Sequence, residues 1–403
     1  MRKLKRNLVL LILFLFGLFH QADRFLIGPL TSSIINDFHI NEALMGLSIS
    51  SSIVVAGILY PIWGYLSDWF NRAKLIALAS FLWGSTTWLS AVARTYSAFV
   101  VTRASTGIDD ASYPGIYSLL SDYFEPTVRS RVFSVIKITY PLGYVLGALF
   151  GTLLGSRIGF RKVFFITGSF GILFSILILL FVKDVKRGAS ENINVERKVS
   201  FDKMLNILKS KTHIYLYAQG FFAVFPMNII TFWLFRYLEV ERNLPPNELV
   251  AVSVVAVGFI ALGNIVSGIL GDRMFSIEKS GRLKVGLLTF VGAMILTFAI
   301  LTPVNKPLQF YILVSCGSFF VAFATPNVSA TISDISGAEI RSTALSLQSF
   351  VETVGSALSP TIAGIIAYKT NLTFTFVSVL LFSSICWLIA FLFAISSIRN
   401  AYT

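Results

Sequence analysis

The sequence predicts an all-α membrane protein of twelve transmembrane helices. Three observations carry that expectation. Hydrophobic residues make up 55% of the 403 residues and charged ones only 13%, where a soluble domain carries roughly 25% charged. Mean hydropathy is +0.76. The apolar residues also gather in long runs, each near the roughly 20 residues that a spanning helix needs. Twelve runs are readable, at about 7–30, 43–67, 73–93, 96–121, 130–156, 160–182, 212–238, 248–272, 283–302, 307–332, 342–367 and 371–398. We number them helices one to twelve. The first run is long and lacks a small-residue cleavage site, so it reads as a retained helix and not as a signal peptide.

Charge then orders the topology. A net charge of +13 would suit a nucleic-acid binder, but the basic residues do not sit on a soluble domain. Most of the 33 Lys and Arg fall in loops on the side of the N-terminus, with Arg2, Lys3, Lys5 and Arg6 at its start and Lys186, Arg187, Arg197 and Lys198 in the long central loop. The positive-inside rule therefore places both termini in the cytoplasm, as an even helix count requires. Arg157, Arg161 and Lys162 fall on the opposite side, against the rule. Cys316 and Cys386 both lie in spans, which argues against a disulfide framework. In the central loop Phe201, Met204, Leu205 and Leu208 follow i, i+3, i+4, i+7 spacing. That pattern fits a short interfacial helix, or a linker with chance periodicity.

The chain repeats itself. Asp122 and Asp334, Arg129 and Arg341, Pro114 and Pro326, and Gly143 and Gly355 all stand 212 residues apart. The segment Gly268 to Asp272 echoes Gly64 to Asp68 at a spacing of 204. Two six-helix halves in parallel arrangement follow, over 1–182 and 212–403, joined by a linker at 183–211. The repeat breaks at the intramembrane charges. Arg103 corresponds to Ser315, Asp110 to Ala322, and Glu352 to Tyr140. Shared features should serve folding; unshared charges are candidates for chemistry.

Charge inside a bilayer costs roughly 2.5–3.5 kcal/mol per residue, so each such group needs a partner or a purpose. Helix one carries His20, Asp23 and Arg24. Helix four carries Arg103, Asp109 and Asp110. Helix five carries Lys137, and helix eleven Glu352. By helical rise Asp23 and Arg103 sit level. They are expected to face each other across water, where an acid that alternates between an arginine and a proton makes a coupling device; the alternative is a static ion pair. Asp110 is expected to answer Lys137, Arg72 or Arg131. The partner of Asp109 is not readable. His20 reads as a proton relay or as a side chain hydrogen-bonded to a neighbouring helix. Glu352 is a second proton-site candidate. Gly143, Gly147, Gly151 and Gly155 form a ladder that lets helices pack backbone to backbone, expected as a sliding contact between the halves.

Residues 64–74, Gly-Tyr-Leu-Ser-Asp-Trp-Phe-Asn-Arg-Ala-Lys, are a short basic turn between two apolar runs. A helix ends there, the backbone reverses, and an acid at the helix end needs a basic partner. This turn resembles the loop between the second and third helices of the major facilitator superfamily. Trp69 stands where that family usually has Arg, and Asn71 where it often has Gly. The resemblance implies two halves rocking about a midplane site, with Gly64, Asp68, Arg72 and Lys74 as a conformational latch. Asp272 and Arg273 would serve the second half, and Asp110, Arg129 and Arg131 the cytoplasmic gate.

Asp23-Arg24-Phe25, Asn71-Arg72, Arg103 with Gly107, Asp110-Ala111-Ser112-Tyr113 and Arg129-Ser130-Arg131 resemble the spinster-like branch. Its fourth-helix motif is Gly-Glu-Ala-Ser-Tyr, of which Asp110 is a shortened acid. The resemblance implies proton-coupled movement of lysolipids and related amphiphiles. Pro114 also resembles the organic anion–cation symporter branch, so both substrate classes stand. Arg24 and Arg103 favour an anionic group in either. His20, Tyr140, Asn228, Asn327 and Gln348 complete the candidate substrate wall.

Competing classes lack their chemistry. The chain has three His (20, 39 and 213), no His-Glu-x-x-His and two separated Cys, which leaves neither a metal enzyme nor a cofactor to expect. It has no phosphate-cradling Gly-x-x-x-x-Gly-Lys loop of a primary pump. The expectation is a monomeric secondary active transporter of the plasma membrane, using protons and a small-molecule substrate. A transporter-fold receptor that binds without flux is the alternative.

Overall fold

The computed structural model describes residues 3–110, 112–124, 132, 135–185, 209–336 and 341–398. It divides into two compact units, Met1–Arg197 and Lys198–Thr403. The amphipathic stretch at 201–208, Arg129 and Arg131 lie outside the described residues, and so do the side chains of Gly64, Asp68, Pro114 and Arg341.

In the first unit, helix one is longer than its apolar run. Lys3–Phe25 continues through Ile27–Phe38, with only Leu26 between them, itself in the helical region. Helix two is Glu42–Trp69 and helix three Arg72–Val92. Both begin on an asparagine. Asn41 accepts from the Leu44 backbone N–H at 2.9 Å, and Asn71 from that of Lys74 at 3.0 Å. Asn71 is therefore an N-cap, a physical reason for an asparagine in this turn. Helix six, Phe160–Phe181, starts after Gly159, whose φ of 81° suits only glycine comfortably.

Helix four is broken into Tyr96–Ser105, Gly107–Asp110 and Tyr113–Tyr123. Helix five contains Thr139–Leu149, a π-helical turn at Phe150–Leu154, and Gly155–Ile158. Eleven helices among the described residues are long and apolar enough to cross a membrane. Helix four is the one expected span missing from that set, and Arg103, Asp109 and Asp110 all fall in it.

The second unit holds helices seven (Lys211–Val240), eight (Pro246–Ile277), nine (Gly281–Gly286 and Leu288–Leu301), ten (Pro307–Val321 and Ala324–Ile335), eleven (Arg341–Lys369) and twelve (Leu372–Ser397). Helix ten is interrupted at Ala322 and Phe323.

Each unit has its own core. Phe16, Trp83, Leu119, Leu120, Phe174 and Ile178 anchor the first. Leu216, Leu283, Val328, Ile332, Trp387 and Phe391 anchor the second.

The glycine ladder of helix five faces helix one of its own unit, not the other half as expected. A Cβ on Gly143 would lie 2.4 Å from the Gln21 Cβ, on Gly147 2.6 Å from the Ala22 carbonyl oxygen, on Gly151 2.3 Å from Pro29, and on Gly155 2.6 Å from Leu30. Gly355, the repeat mate of Gly143, does the same to helix seven, at 2.5 Å from the Phe221 carbonyl oxygen. The ladder closes a pair of helices within each bundle.

Arg161, which broke the charge rule, caps helix three. It donates to the carbonyls of Ala91 at 3.0 Å and Ala93 at 2.5 Å, and pairs with Asp37 at 2.6 Å. Arg242 does the same for helix nine through the carbonyls of Ala299, Ile300 and Thr302. Orphan carbonyls at a helix end need such donors, so structure overrides topology at these two places.

Candidate functional site

The buried charges of the first unit form two neighbouring groups. In one, Asp23 is 2% exposed and Arg103 5%. Asp23 Oδ2 accepts from Trp83 Nε1 at 3.1 Å and Thr87 Oγ1 at 3.2 Å, and Oδ1 accepts from Thr167 Oγ1 at 2.6 Å. Arg103 Nη1 lies 4.0 Å from Oδ2, an ion pair too long for a hydrogen bond. The guanidinium also stacks over Phe164, 5.4 Å from the ring centre. The two residues come together as their depth implied, but inside the bundle and not across water. Three neutral donors from helices three and six stabilise a carboxylate that one arginine alone would hold poorly.

In the other group, His20 Nε2 bonds Asp109 Oδ2, and its Nδ1 meets the Tyr113 hydroxyl at 3.1 Å. Asp110 Oδ1 is 3.6 Å from His20 Nε2 and 3.6 Å from Arg24 Nη1. Gln21 Nε2 also donates to the Tyr113 hydroxyl, at 3.1 Å. Asp109, whose partner the sequence did not reveal, answers His20. Asp110 answers Arg24 and His20 in place of Lys137 or Arg72, while Arg131 lies outside the described residues. Both acids meet helix one, although adjacent residues of a helix point about 100° apart. Lys137 is exposed, and Tyr140 is 41% exposed beside Phe25. One ligand atom each from His20, Asp109 and Asp110 lies within 4.8 Å of the others, a set of donors that suits a cation. Arg24 already supplies positive charge to Asp110 there.

At the loop end, Arg72 is 1% exposed and ties helix three to helices four and six. It donates to Asp122 at 2.5 Å, Ser118 at 3.1 Å, the Val185 carbonyl at 2.7 Å and Asp184. Sequence reasoning missed Asp184, which lies just beyond an apolar run and has no echo in the repeat. It also missed Arg282. That arginine opens helix nine as Arg72 opens helix three, and it bonds both Asp272 and Asp334. Arg273, the other gating candidate of that turn, makes none of these described contacts. The signal was present, since Asp334 is the repeat mate of Asp122, but Arg282 lies 210 residues from Arg72, off the common spacing.

The remaining candidate residues of the second unit are neutral amides and one acid. Gln348 Nε2 donates to Glu352 Oε1 at 2.7 Å, one turn along helix eleven. Glu352 also packs on Gly220 of helix seven. Asn228 is half-buried and donates to the Ser356 carbonyl at 3.5 Å. Asn327 is 2% exposed and donates to the Ser267 and Phe323 carbonyls, so it fastens helix ten to helix eight.

Two all-helical units, with apolar spans outside and paired charges inside, define a polytopic membrane protein with a polar interior. The chain belongs to the Major Facilitator Superfamily, whose family model matches residues 13–317 and 253–399. It is 28% identical to Protein spinster of Drosophila melanogaster over 368 residues, 87% of this chain and 60% of that protein. It is 24% identical to the Hexuronate transporter of Bacillus subtilis (strain 168) over 380 residues, 90% of this chain and 88% of that one. The chain thus spans less than two thirds of the fly protein's length. Its fold is similar to the crystal structure of a bacterial homolog to the human lysosomal transporter Spinster, with a TM-score of 0.84 and 20% identity over 99% of this chain and 98% of that one.

Proposed function

We propose that this chain is a spinster-like secondary transporter that moves a small organic anion or an amphiphile such as a lysolipid, driven by protons through alternating access. The observation that carries the reading is the buried Asp23–Arg103 pair, with Arg24, the residue after Asp23, facing the Asp110 carboxylate. Asp23 is the proton acceptor and Arg103 the cation that competes with the proton for it. Arg24, a third exposed, is the anion contact. Glu352 is a second carboxyl poised for a proton. Arg72 with Asp122, and Arg282 with Asp272, hold the loop ends of the two units and set the balance between conformations. The similarity to a hexuronate transporter supports an organic anion, and the spinster resemblance an amphiphile. The protein acts as a monomer in the plasma membrane with both termini cytoplasmic.

The test is uptake into proteoliposomes under an imposed pH gradient, with a labelled lysophospholipid and with labelled glucuronate, for the wild type and Asp23→Asn. Gradient-driven movement of either probe, lost in the variant, supports the reading and selects the substrate class. Tight binding of a probe with no flux in the wild type favours a receptor. Flux unchanged in Asp23→Asn removes Asp23 from coupling.

A further inference from the structure

His20 and Asp109 lie outside the Asp23–Arg103 couple, and the spinster-like motif quoted above has glycine where this chain has Asp109. The extra acid is therefore a feature of this sequence. It is 1% exposed, and its Oδ1 has no hydrogen-bond partner among the described residues, while Oδ2 meets the 4% exposed His20. A second buried carboxylate beside Asp110 carries a large desolvation cost unless positive charge answers it.

The local charge count shows what answers it. The groups joined by contacts are Asp23, Asp109 and Asp110 on one side, and Arg24 and Arg103 on the other. Three carboxylates face two guanidiniums, so the set carries one negative charge in excess when His20 is neutral. One proton on His20 balances it. Among the described residues, the remaining titratable neighbours are phenols. Tyr113 touches His20 from helix four, while Tyr60 and Tyr140 lie near Arg24 from helices two and five. From helix three, Trp83 packs its ring at 83° against the imidazole, 5.2 Å away, and gives its N–H to Asp23. Trp83 therefore touches both the histidine and Asp23, and no described hydrogen bond or ion pair joins those two directly. Lys137 is exposed and joined to the set by none of the described contacts.

We propose that the His20–Asp109 couple is a second proton-binding site, separate from Asp23, whose occupancy follows the anion at Arg24. This rests on the transporter reading for its anion, but the proton site itself does not. Asp110 lies 3.6 Å from both Arg24 and His20. An anion that draws Arg24 to itself leaves Asp110 with His20 as its nearest cation, so the imidazolium persists to higher pH than in the anion-free protein. At a pH above the anion-free midpoint, anion binding therefore brings a proton from hydronium to the imidazole, an O–H bond breaking as the N–H bond forms. Departure of the anion returns Arg24 to Asp110, and the same proton goes back to water.

The chain has only three histidines, which makes nitrogen NMR on imidazole-labelled, full-length protein in lipid nanodiscs decisive. His20→Gln identifies the His20 signals by their loss. The expected result is that His20 passes between imidazolium and neutral imidazole between pH 5 and pH 9. Asp109→Asn moves that midpoint by about one pH unit or more, and Asp23→Asn leaves the transition in place. A His20 that keeps one protonation state over the whole range overturns the proposal, as does a midpoint unmoved in Asp109→Asn or a transition abolished in Asp23→Asn. The wild-type titration requires no variant to fold and no transport to occur, so its failure is separate from failure of the uptake experiment. Adding glucuronate or lysophosphatidic acid one pH unit above the midpoint should raise the imidazolium fraction at least twofold. No change with either anion overturns the link to Arg24.

Discussion

Arg72 and Asp184 are joined by three hydrogen bonds. The Arg72 backbone N–H meets Oδ2 at 2.8 Å, and Nε and Nη2 both meet Oδ1, at 3.1 and 2.9 Å. One acid thus caps the start of helix three and grips the side chain of the same residue. Asp122 and Ser118 take the remaining guanidinium edge.

That arrangement predicts a large loss from Arg72→Ala. Removing a buried arginine leaves two partly buried carboxylates facing each other without a cation, which costs about 3–5 kcal/mol. Arg72→Lys should recover less than half, because an ammonium cannot bond two acids and a carbonyl in one plane. Thermal unfolding of the purified protein in detergent measures both. A midpoint unchanged in Arg72→Ala would mean that the pair is decorative.

Arg282 makes the contrasting case. It bonds Asp272 and Asp334, but Asp272 is 69% exposed and Asp334 34%. Water and salt screen such a pair to about 1 kcal/mol or less. Arg282→Ala should therefore cost less than half of what Arg72→Ala costs, and 0.5 M salt should narrow its effect further. Equal losses at the two arginines would show that burial does not set their worth.

Packing predicts the behaviour of the glycines. Gly147→Ala places a methyl 2.6 Å from the backbone oxygen of Ala22, which cannot swing aside. The expected cost is about 1–3 kcal/mol. Gly258 of helix eight has nothing within 4 Å of the same position. Gly258→Ala should be neutral or stabilise by up to about 1 kcal/mol through helix propensity alone. Melting curves of the two variants side by side decide the matter, and a shift of the same sign in both would reject the packing account.

How much of this was legible in the sequence depended on the range of the interaction. The twelve spans follow from hydrophobic run length, a local property, and even helix four, too broken to qualify as one continuous helix, was found from it. The Asp23–Arg103 approach was readable because helical rise fixes depth. What rise does not fix is rotation, so their enclosure by Trp83, Thr87 and Thr167 was invisible. Asp109 escaped for a related reason. Adjacent residues of a helix point about 100° apart, so helical spacing gave no sign that both acids meet helix one. The glycine ladder announced close packing but not its partner, since spacing names one face and never the surface against it.

The Asp23–Arg103 pair allows the coupling role to be separated from a structural one. Asp23→Asn keeps oxygen for Trp83 and Thr87 or Thr167 but leaves Arg103, 5% exposed, without its carboxylate. Stability should fall by about 3 kcal/mol. Asp23→Asn combined with Arg103→Gln removes both charges, so most of that stability should return. Gradient-driven uptake should not return, because the double variant has no acid at this position to exchange a proton. Melting and proteoliposome flux are therefore expected to part company in the double variant. If flux under a pH gradient recovers together with stability, the pair only holds helices one and four in place, and the coupling proton must be sought at His20–Asp109 or at Glu352.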